Sequence, residues 1–242
     1  MTGSTGRPKR SEWAPDNQGV SMQDHKRHTA DVNSQIKAFM SGACAGDVDA
    51  IRTQVAAGFD LNGTNQFGDT ILEYAISALE FYPGAPKYKV IEEMLRLGAD
   101  PNAPSQDGSS PLFAAVLNLD SKMLRLLLDA GANPNVLRTG TDGTVESLYD
   151  WACSAYWEEA WSMYPAGEMN FPEREDEDAW LRHLARLALK YDKPRPDHLQ
   201  VLRERGALST LELCSVNRTD PRAKSATIAA PQRSSRGGSQ LT

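Results

Sequence analysis

A thirty-residue unit in the middle of the chain, from Asp107 to Val136, most constrains what this sequence can fold into. It opens on an Asp-Gly turn pair, and Ser110 and Pro111 predict the start of a short helix, because the hydroxyl can cap the helix and proline fits its first turn. A second helix follows with leucines at helical spacing, and Gly131 supplies the left-handed residue that ends it. Two short helices cannot bury both of their apolar faces alone, so this unit must stack against similar neighbours.

The ending of this unit recurs along the chain. Endings of similar sequence begin at Gly58, Gly98, Gly131 and, in a weaker form, Gly206. The step from Gly98 to Gly131 is 33 residues, whereas the steps on either side of it are 40 and 75 residues. The longer steps indicate that a short insertion precedes the regular central unit and that a larger insertion follows it.

The central unit resembles the ankyrin repeat, whose signature is Thr-Pro-Leu-His-x-Ala, then a leucine-rich helix, then Gly-Ala-Asp-x-Asn. The matching segments are Ser110–Ala115 and Leu126–Asn135. Phe113 replaces the histidine of the signature, so apolar contact must replace the hydrogen bond that the histidine makes between neighbouring turns. The resemblance covers roughly residues 33 to 210 and implies an all-α solenoid of about four repeats of paired antiparallel helices.

The chain divides into three predicted segments. Residues 1–30 and 215–242 are polar and lack apolar periodicity, so we expect two disordered tails. Residues 31–214 form the predicted ankyrin domain, with an insertion at about 157–195 in its last repeat. Within the insertion, residues 179–191 have the apolar stripe of an amphipathic helix, which we expect to cap the solenoid as an extra C-terminal helix.

The charge distribution argues against nucleic acid as a partner. The predicted domain carries 16 basic and 28 acidic residues, a net charge of −12, which a phosphate backbone would repel. The three cysteines lack Cys-x-x-Cys spacing, which favours a reducing compartment, and no stretch approaches the length of about 18 apolar residues that spans a membrane. We therefore expect a cytoplasmic protein that does not contact membranes.

The sequence gives no indication of catalysis. The common signatures for phosphate, dinucleotide, metalloprotease and hydrolase sites are absent from it. His183 lies near charged residues but has no nucleophile or second histidine placed with it, so we interpret it as a surface or cap histidine. We expect no catalytic, cofactor-binding or metal-binding residues.

Two features outside the repeat pattern are candidates for partner binding. Phe81 and Tyr82 lie on a loop with two prolines, where aromatic side chains either cover helix ends or contact a partner at low entropic cost. Arg138 lies in a predicted hairpin finger at residues 135–144, which has two glycines for a tight turn.

The insertion supplies the remaining candidates. Residues 157–178 hold eight acidic side chains against one arginine, interleaved with aromatic residues. The candidates are Trp157, Trp161, Tyr164, Phe171, Glu175, Asp176, Glu177 and Asp178. In one interpretation the acidic charge steers a partner with a basic surface and the aromatic residues anchor it. In the other, the segment is a solvated loop that keeps the protein soluble.

The resemblance implies a non-catalytic interaction module, either an adaptor or an inhibitor, that binds another protein as a monomer through its hairpin fingers and inner helices. Two alternatives remain open. The extra helix could dimerise instead of capping, which would make this an assembly protein, or the chain could be an accessory subunit of an enzyme.

Overall fold

The computed structural model describes residues 22–106, 108–139, 143–165, 168 and 177–219. This part of the chain contains ten α-helices and one two-stranded sheet. The elements are α1 (Met22–Ala45), α2 (Val48–Ala56), α3 (Ile71–Leu79), α4 (Lys87–Arg96), α5 (Pro111–Leu117), α6 (Ser121–Asp129), β1 (Leu137–Thr139), β2 (Val145–Ser147), α7 (Leu148–Met163), α8 (Glu177–Tyr191), α9 (Asp197–Glu204) and α10 (Thr210–Thr219).

The helices stack in two layers, as the resemblance predicts. The first helices of the repeats, α1, α3, α5 and α7, pack side by side, and the second helices, α2, α4, α6 and α9, pack beside one another behind them. Each first helix also packs on its own second helix. The predicted all-α solenoid of paired helices is therefore confirmed, and the core follows the seam between the two layers.

Side chains fix where most of the repeat helices begin. The side chains of Asp47, Thr70 and Asp120 accept hydrogen bonds from backbone N–H groups in the first turns of α2, α3 and α6. Pro111 occupies the first turn of α5, as predicted. The predicted cap by Ser110 is wrong, because its backbone carbonyl, and not its hydroxyl, accepts the N–H groups of the first turn.

Glycine ends each second helix at the predicted position. Gly58, Gly98, Gly131 and Gly206 all have positive φ, between 82° and 100°. A side chain at such a φ clashes with the backbone, so glycine is the favoured residue there. The four endings that revealed the repeat in the sequence are thus four left-handed helix stops.

An asparagine four residues after three of these glycines joins each repeat to the next. Asn62 Nδ2 donates to the carbonyl of Gly98 over 3.1 Å, and Asn62 Oδ1 accepts from the amide of Asp100 over 2.8 Å. Asn102 and Asn135 make the same two bonds to the following unit, at distances between 2.7 and 3.2 Å. These three asparagine clamps hold the spacing between repeats along one edge of the solenoid.

Phe113 replaces the hydrogen bond of the repeat histidine with a ring contact. The Phe113 side chain is buried, and its ring centroid lies 5.0 Å from that of Trp151 in the next unit. At the equivalent position of α3, Glu73 accepts a hydrogen bond from the hydroxyl of Ser105. Neighbouring units are therefore joined by an apolar contact in one case and a polar contact in the other.

The last unit contains the predicted extra helix. One face of α8 is buried in the chain's own core through Trp180, Leu184, Leu187 and Ala188. The apolar face of the predicted extra helix is therefore packed against this chain's own core. The strand β2 includes residue 146, and α7 begins directly after it at Leu148.

Both expected domain boundaries fall inside helices. The boundary at residue 30 lies within α1, which begins at Met22, because polar residues of good helix propensity extend the helix beyond its packed part. The boundary at residue 214 lies within α10. Ser209 and Glu212 form a capping box at the start of α10. The Ser209 hydroxyl accepts from the amide of Glu212 over 3.2 Å, and the Glu212 carboxylate accepts from the amide of Ser209 over 2.6 Å. The rest of the expected tails, residues 1–21 and 220–242, lies outside the described residues.

Candidate functional site

The repeat register places one face of every first helix on a common inner surface. Tyr74 and Ala78 of α3 match Trp151 and Ala155 of α7 in the repeat alignment. Each of these pairs lines a groove in the surface. Since residues four apart lie on the same side of a helix, these grooves open on the same layer of the solenoid. We call them the N-terminal groove and the C-terminal groove.

The N-terminal groove has a volume of about 610 Å³. It lies between α1, α3 and the loop that joins α2 to α3. Its lining residues are Asn33, Ile36, Lys37, Met40, Ser41, Cys44, Asn65, Gln66, Phe67, Tyr74, Ala78 and Tyr82. The lining therefore combines aliphatic, aromatic and amide side chains.

Phe67 projects from a hydrogen-bonded finger at the rim of this groove. Its side chain is 74% exposed, although it is a large apolar residue. Asn65 Oδ1 accepts from the amides of Phe67 and Asp69 at 2.8 and 3.1 Å, and Gly68 accepts a backbone bond of 3.0 Å from Gln106 in the next finger. These bonds hold the finger in place, so little further ordering is needed when Phe67 binds a partner.

The loop after α3 presents the two predicted aromatic residues. Phe81 is 83% exposed and Tyr82 is 52% exposed, and Tyr82 lines the N-terminal groove. Tyr88, at the far end of the loop, is half-buried and donates from its hydroxyl to Asp120 over 3.1 Å. The loop is therefore tied to the next repeat at one end and exposes its aromatic residues at the other.

The predicted hairpin finger forms β1 and β2, with Arg138 opposite Glu146 in the antiparallel pair. The Arg138 guanidinium lies 5.3 Å from the ring centroid of Trp151 and 5.7 Å from that of Phe113. Arg138 is half-buried, and its stacking fixes the finger against two repeats. Gly143 has positive φ as expected for the turn, whereas residues 140–142 lie outside the described part of the chain.

The C-terminal groove has a volume of about 580 Å³ and lies between the end of α5 and the exposed face of α7. Its lining residues are Val116, Leu117, Leu119, Glu146, Trp151, Ala152, Ser154, Ala155, Tyr156, Glu158, Glu159 and His198. Leu117 is 64% exposed at its edge. Three of the lining residues are glutamates, so this groove is acidic where the N-terminal groove is mostly neutral.

His198 lies at the inner end of the C-terminal groove and is fully buried. Its ring is 5.4 Å from that of Tyr156, and neither ring nitrogen has a hydrogen-bond partner within the described residues. Burial lowers the pKa of His198 to about 4, so the imidazole is neutral near pH 7. The equivalent positions of the two preceding second helices hold Met123 and Val90, which are both apolar and buried.

The structure disperses the candidates of the acidic insertion. Tyr164 is buried, with its ring 5.8 Å from that of Tyr191, and Trp157 is partly buried against the core. Neither is a free aromatic anchor in this structure. Phe171, Glu175 and Asp176 lie outside the described residues, as does the side chain of Trp161.

The two remaining acidic candidates have different surroundings. Glu177 accepts two hydrogen bonds from Arg203, at 2.8 and 2.7 Å, and another from the hydroxyl of Tyr149. Its charge is therefore balanced inside the protein. Asp178 is exposed on the first turn of α8.

Sequence reasoning missed four residues of the inner surface: Phe67, Leu117, Glu158 and Glu159 were not assigned as contact residues. The sequence did contain a signal that Leu117 is a contact residue. Aligning α5 with α3 and α7 places position 117 in the region of those helices that faces the inner surface. His183, which we interpreted as a surface or cap residue, is half-buried on α8, with Nε2 3.4 Å from the carbonyl oxygen of Glu168. Among the described residues, no group of three or more His, Cys, Asp and Glu is arranged to hold a metal ion.

None of the described helices is long and apolar enough to cross a membrane.

Comparison with known proteins supports the repeat assignment. The family model for ankyrin repeats (3 copies) matches residues 39–138. The chain is 30% identical over 106 residues to the ankyrin repeat protein YahD of Escherichia coli (strain K12), which covers 43% of this chain and 49% of YahD. It is 33% identical over 110 residues to Protein PhlB of Serratia liquefaciens, which covers 44% of each chain. The chain thus spans about half the length of the curated relatives it matches.

Proposed function

Residues 39–138 are ankyrin repeats, and because such repeats generally act as protein–protein interaction modules, we propose that this protein is a non-catalytic module that binds a protein partner along its inner surface. The ankyrin repeat family is typically non-catalytic, which agrees with the absence of catalytic signatures from the sequence. The finer role is that of an adaptor or an inhibitor in the cytoplasm.

The observation that carries this proposal is the alignment of exposed apolar side chains along one surface. Phe67 and Tyr82 line the N-terminal groove, Leu117 lines the C-terminal groove, and all three side chains are exposed. Large apolar residues that are exposed together mark surfaces that become buried on binding. Aromatic side chains of this kind often supply most of the binding free energy.

The exposed residues are also held rigidly. The asparagine clamps fix the spacing of the repeats, and Asn65 fixes the finger that carries Phe67. A preformed surface loses little conformational entropy on association, so more of the contact energy appears as affinity. This favours a binding role over a purely structural role for the inner surface.

We further propose that the partner has a basic surface and that the protein acts as a monomer. The net charge of −12 over residues 31–214 favours encounter with a cationic partner. The apolar face of α8, which the dimerisation alternative required, is buried within the chain itself. Together these observations favour a binding module over an assembly protein.

The proposal is tested by capturing partners from the source cell with the full chain as bait. The double variant Phe67→Ser, Tyr82→Ser removes two exposed aromatic residues from the inner surface. Leu189→Ser is the matched control, because Leu189 is 70% exposed on α8 and lines neither groove. We expect the double variant to lose about tenfold or more of the captured partner and the control to retain it.

Retention of the partner by the double variant, or its loss from the control alone, would contradict binding through the inner surface. Size-exclusion chromatography with light scattering checks the oligomeric state. A dimer that Leu189→Ser converts to a monomer would support the assembly alternative.

A further inference from the structure

The C-terminal groove combines an apolar wall with an acidic rim. Leu117 and Trp151 form the apolar part, and Glu158 and Glu159 lie two turns further along α7. Residues seven and eight positions apart share a helix face, so the carboxylates project on the same side as Trp151. At 1.5 Å per residue, they lie about 10–12 Å from Trp151 along the helix axis.

The two carboxylates at this rim lie where negative charge is unfavourable. Glu158 and Glu159 are exposed, and within the described ranges neither forms an ion pair. Both belong to the last two turns of α7, where the helix dipole disfavours negative charge, and the last turn has no basic residue to offset them. The third glutamate of the groove, Glu146, lies opposite Arg138 in the hairpin. A cation from outside the chain would therefore be attracted chiefly to Glu158 and Glu159.

The inner end of the groove offers a hydrogen-bonding group that the chain itself does not use. His198 is fully buried there, and both ring nitrogens lack a partner within the described residues. Burying a polar group without a hydrogen bond is unfavourable, and the equivalent positions in other repeats hold apolar residues. Because the imidazole is neutral near pH 7, it does not repel a cation and can accept a hydrogen bond from one.

We propose that the C-terminal groove binds an arginine side chain of the protein partner. The five N–H donors of a guanidinium can serve two carboxylates and an imidazole together, whereas a lysine ammonium is a point charge with three donors. The apolar wall formed by Leu117 and Trp151 takes an apolar side chain of the same partner segment. This inference rests on the proposed function and specifies the chemistry of the partner.

The geometry also predicts the spacing of the recognised segment. An apolar side chain beside Trp151 and an arginine at Glu158 and Glu159 must lie about 10 Å apart. In a polyproline II segment, which has three residues per turn and rises about 3.1 Å per residue, residues three positions apart lie about 9 Å apart on the same face. The expected segment therefore has the pattern Leu-x-x-Arg.

Two synthetic peptides test the proposal with the full chain. Both are seven residues long, acetylated and amidated, and contain Leu-Ser-Ser-Arg or Leu-Ser-Ser-citrulline, in which the neutral citrulline keeps the shape of arginine. Isothermal titration calorimetry measures both affinities at pH 7. We expect the arginine peptide to bind at least about tenfold more tightly, which corresponds to about 1.4 kcal/mol.

The double variant Glu158→Gln, Glu159→Gln should reduce the preference for arginine to less than about twofold. Both residues are exposed and the helix dipole disfavours their charge, so the variant should fold with an unfolding midpoint in urea at least as high as that of wild type. The matched control is Glu92→Gln, Glu204→Gln, which removes the same charge from the outer helices α4 and α9 and should retain the preference.

Equal affinities for the two peptides, or the same preference in both double variants, would overturn the arginine site. If the captured partner still depends on Phe67 and Tyr82 in that case, the proposed function stands and only this inference fails. If capture of the partner does not depend on Phe67 and Tyr82 either, the proposed function fails together with this inference.

Discussion

The regular repeats and the last unit join neighbouring helices in different ways. At the regular junctions, Asn62 and Asn102 make the same two hydrogen bonds to the next repeat. Packing between adjacent helices supplies the remaining contacts. The last unit keeps this clamp through Asn135 but adds an ion-pair cluster in which Arg203 binds Glu177 and Glu212. The insertion needs its own attachment, because the repeating clamp contacts only each glycine stop and the second residue after it.

The ion pairs of the two regions show the same contrast. In the regular part, Glu93 lies between Arg96 and Arg52, whose hydrogen bonds lower the pKa of Glu93 to about 2. Glu93 therefore pairs with one arginine a helix turn away and with another arginine in the adjacent repeat. In the last unit, Arg203 connects α8, α9 and α10, and its hydrogen bond helps to lower the pKa of Glu212 to about 2. The regular repeats are thus linked by a pairing between adjacent repeats, whereas in the last unit a single arginine connects three helices of the same unit.

The largest expected effect tests whether the two regions share one core. Leu127 and Leu202 hold equivalent positions in α6 and α9, and both are fully buried. Replacing either by Ala should reduce the free energy of unfolding by about 2–5 kcal/mol, because transfer and cavity costs add. Urea unfolding measures both losses. A loss below about 0.5 kcal/mol for Leu202→Ala alone would show that the last unit is not part of the cooperative core.

The next prediction concerns pH and the last unit alone. The pKa of His198 is lowered by burial from 6.5 to about 4, so between these pH values the unfolded chain binds a proton that the folded chain does not. Stability should therefore fall as the pH drops from 6.5 towards 4, by about 3 kcal/mol in total. His198→Met, which copies the equivalent Met123, should flatten this part of the profile.

Urea unfolding at several pH values between 4 and 7 provides the measurement, with the half-buried His183 changed to Gln as the control. The carboxyls of Glu93 and Glu212 contribute in a lower window, since their stabilising effect is lost as the pH falls from about 4.5 to 2. The same slope in wild type and His198→Met would contradict the assignment to His198.

A smaller effect should distinguish the ion-pair cluster from an ordinary surface pair. Arg203→Gln removes hydrogen bonds to Glu177 and Glu212 and should cost about 1.5–3 kcal/mol, as is usual for hydrogen bonds to charged groups in partly buried positions. Arg125→Gln is the control, because Arg125 and Glu204 are 3.9 Å apart and both half-exposed, and it should cost less than about 1 kcal/mol. Equal losses of the free energy of unfolding for the two variants, measured by thermal or urea unfolding, would show that the cluster stabilises the fold no more than a surface pair does.

The smallest expected effect tests whether the glycine stop acts alike in both regions. Gly131 and Gly206 have φ of 93° and 82°, and a Cβ at either position would meet no atom within 4 Å. Substitution by Val should therefore cost only the backbone strain, about 1–2 kcal/mol, and substitution by Asn clearly less. Unfolding midpoints of the four variants measure this. Val and Asn variants of equal stability would argue against a left-handed stop.

The regular part of the fold was predictable because its signals are local. Gly131, Pro111 and the cap at Asp47 act within one helix turn, so the sequence around each residue determines the outcome. Ser110 was the exception, since its backbone carbonyl took the hydrogen bonds expected for its hydroxyl.

The candidate site was less predictable because it depends on distant contacts. Glu177 looked like a solvated charge, but Arg203, 26 residues later, binds it. Tyr164 looked like an exposed anchor, but its ring packs near that of Tyr191. Conversely, an apolar residue such as Leu117 is normally assigned to the core, and only the stacking of the repeats leaves it exposed on the inner surface.

The central claim is that the inner surface, and not helices α8 and α10 of the last unit, binds the partner. Its most direct measurement is photo-crosslinking in the source cell, with benzoylphenylalanine placed singly at Phe67, Leu117, Leu189 and Leu211, all of which are exposed. The account predicts that positions 67 and 117 crosslink to the same protein and that positions 189 and 211, on α8 and α10, do not. Crosslinks to that protein from 189 or 211, with none from 67 and 117, would contradict it.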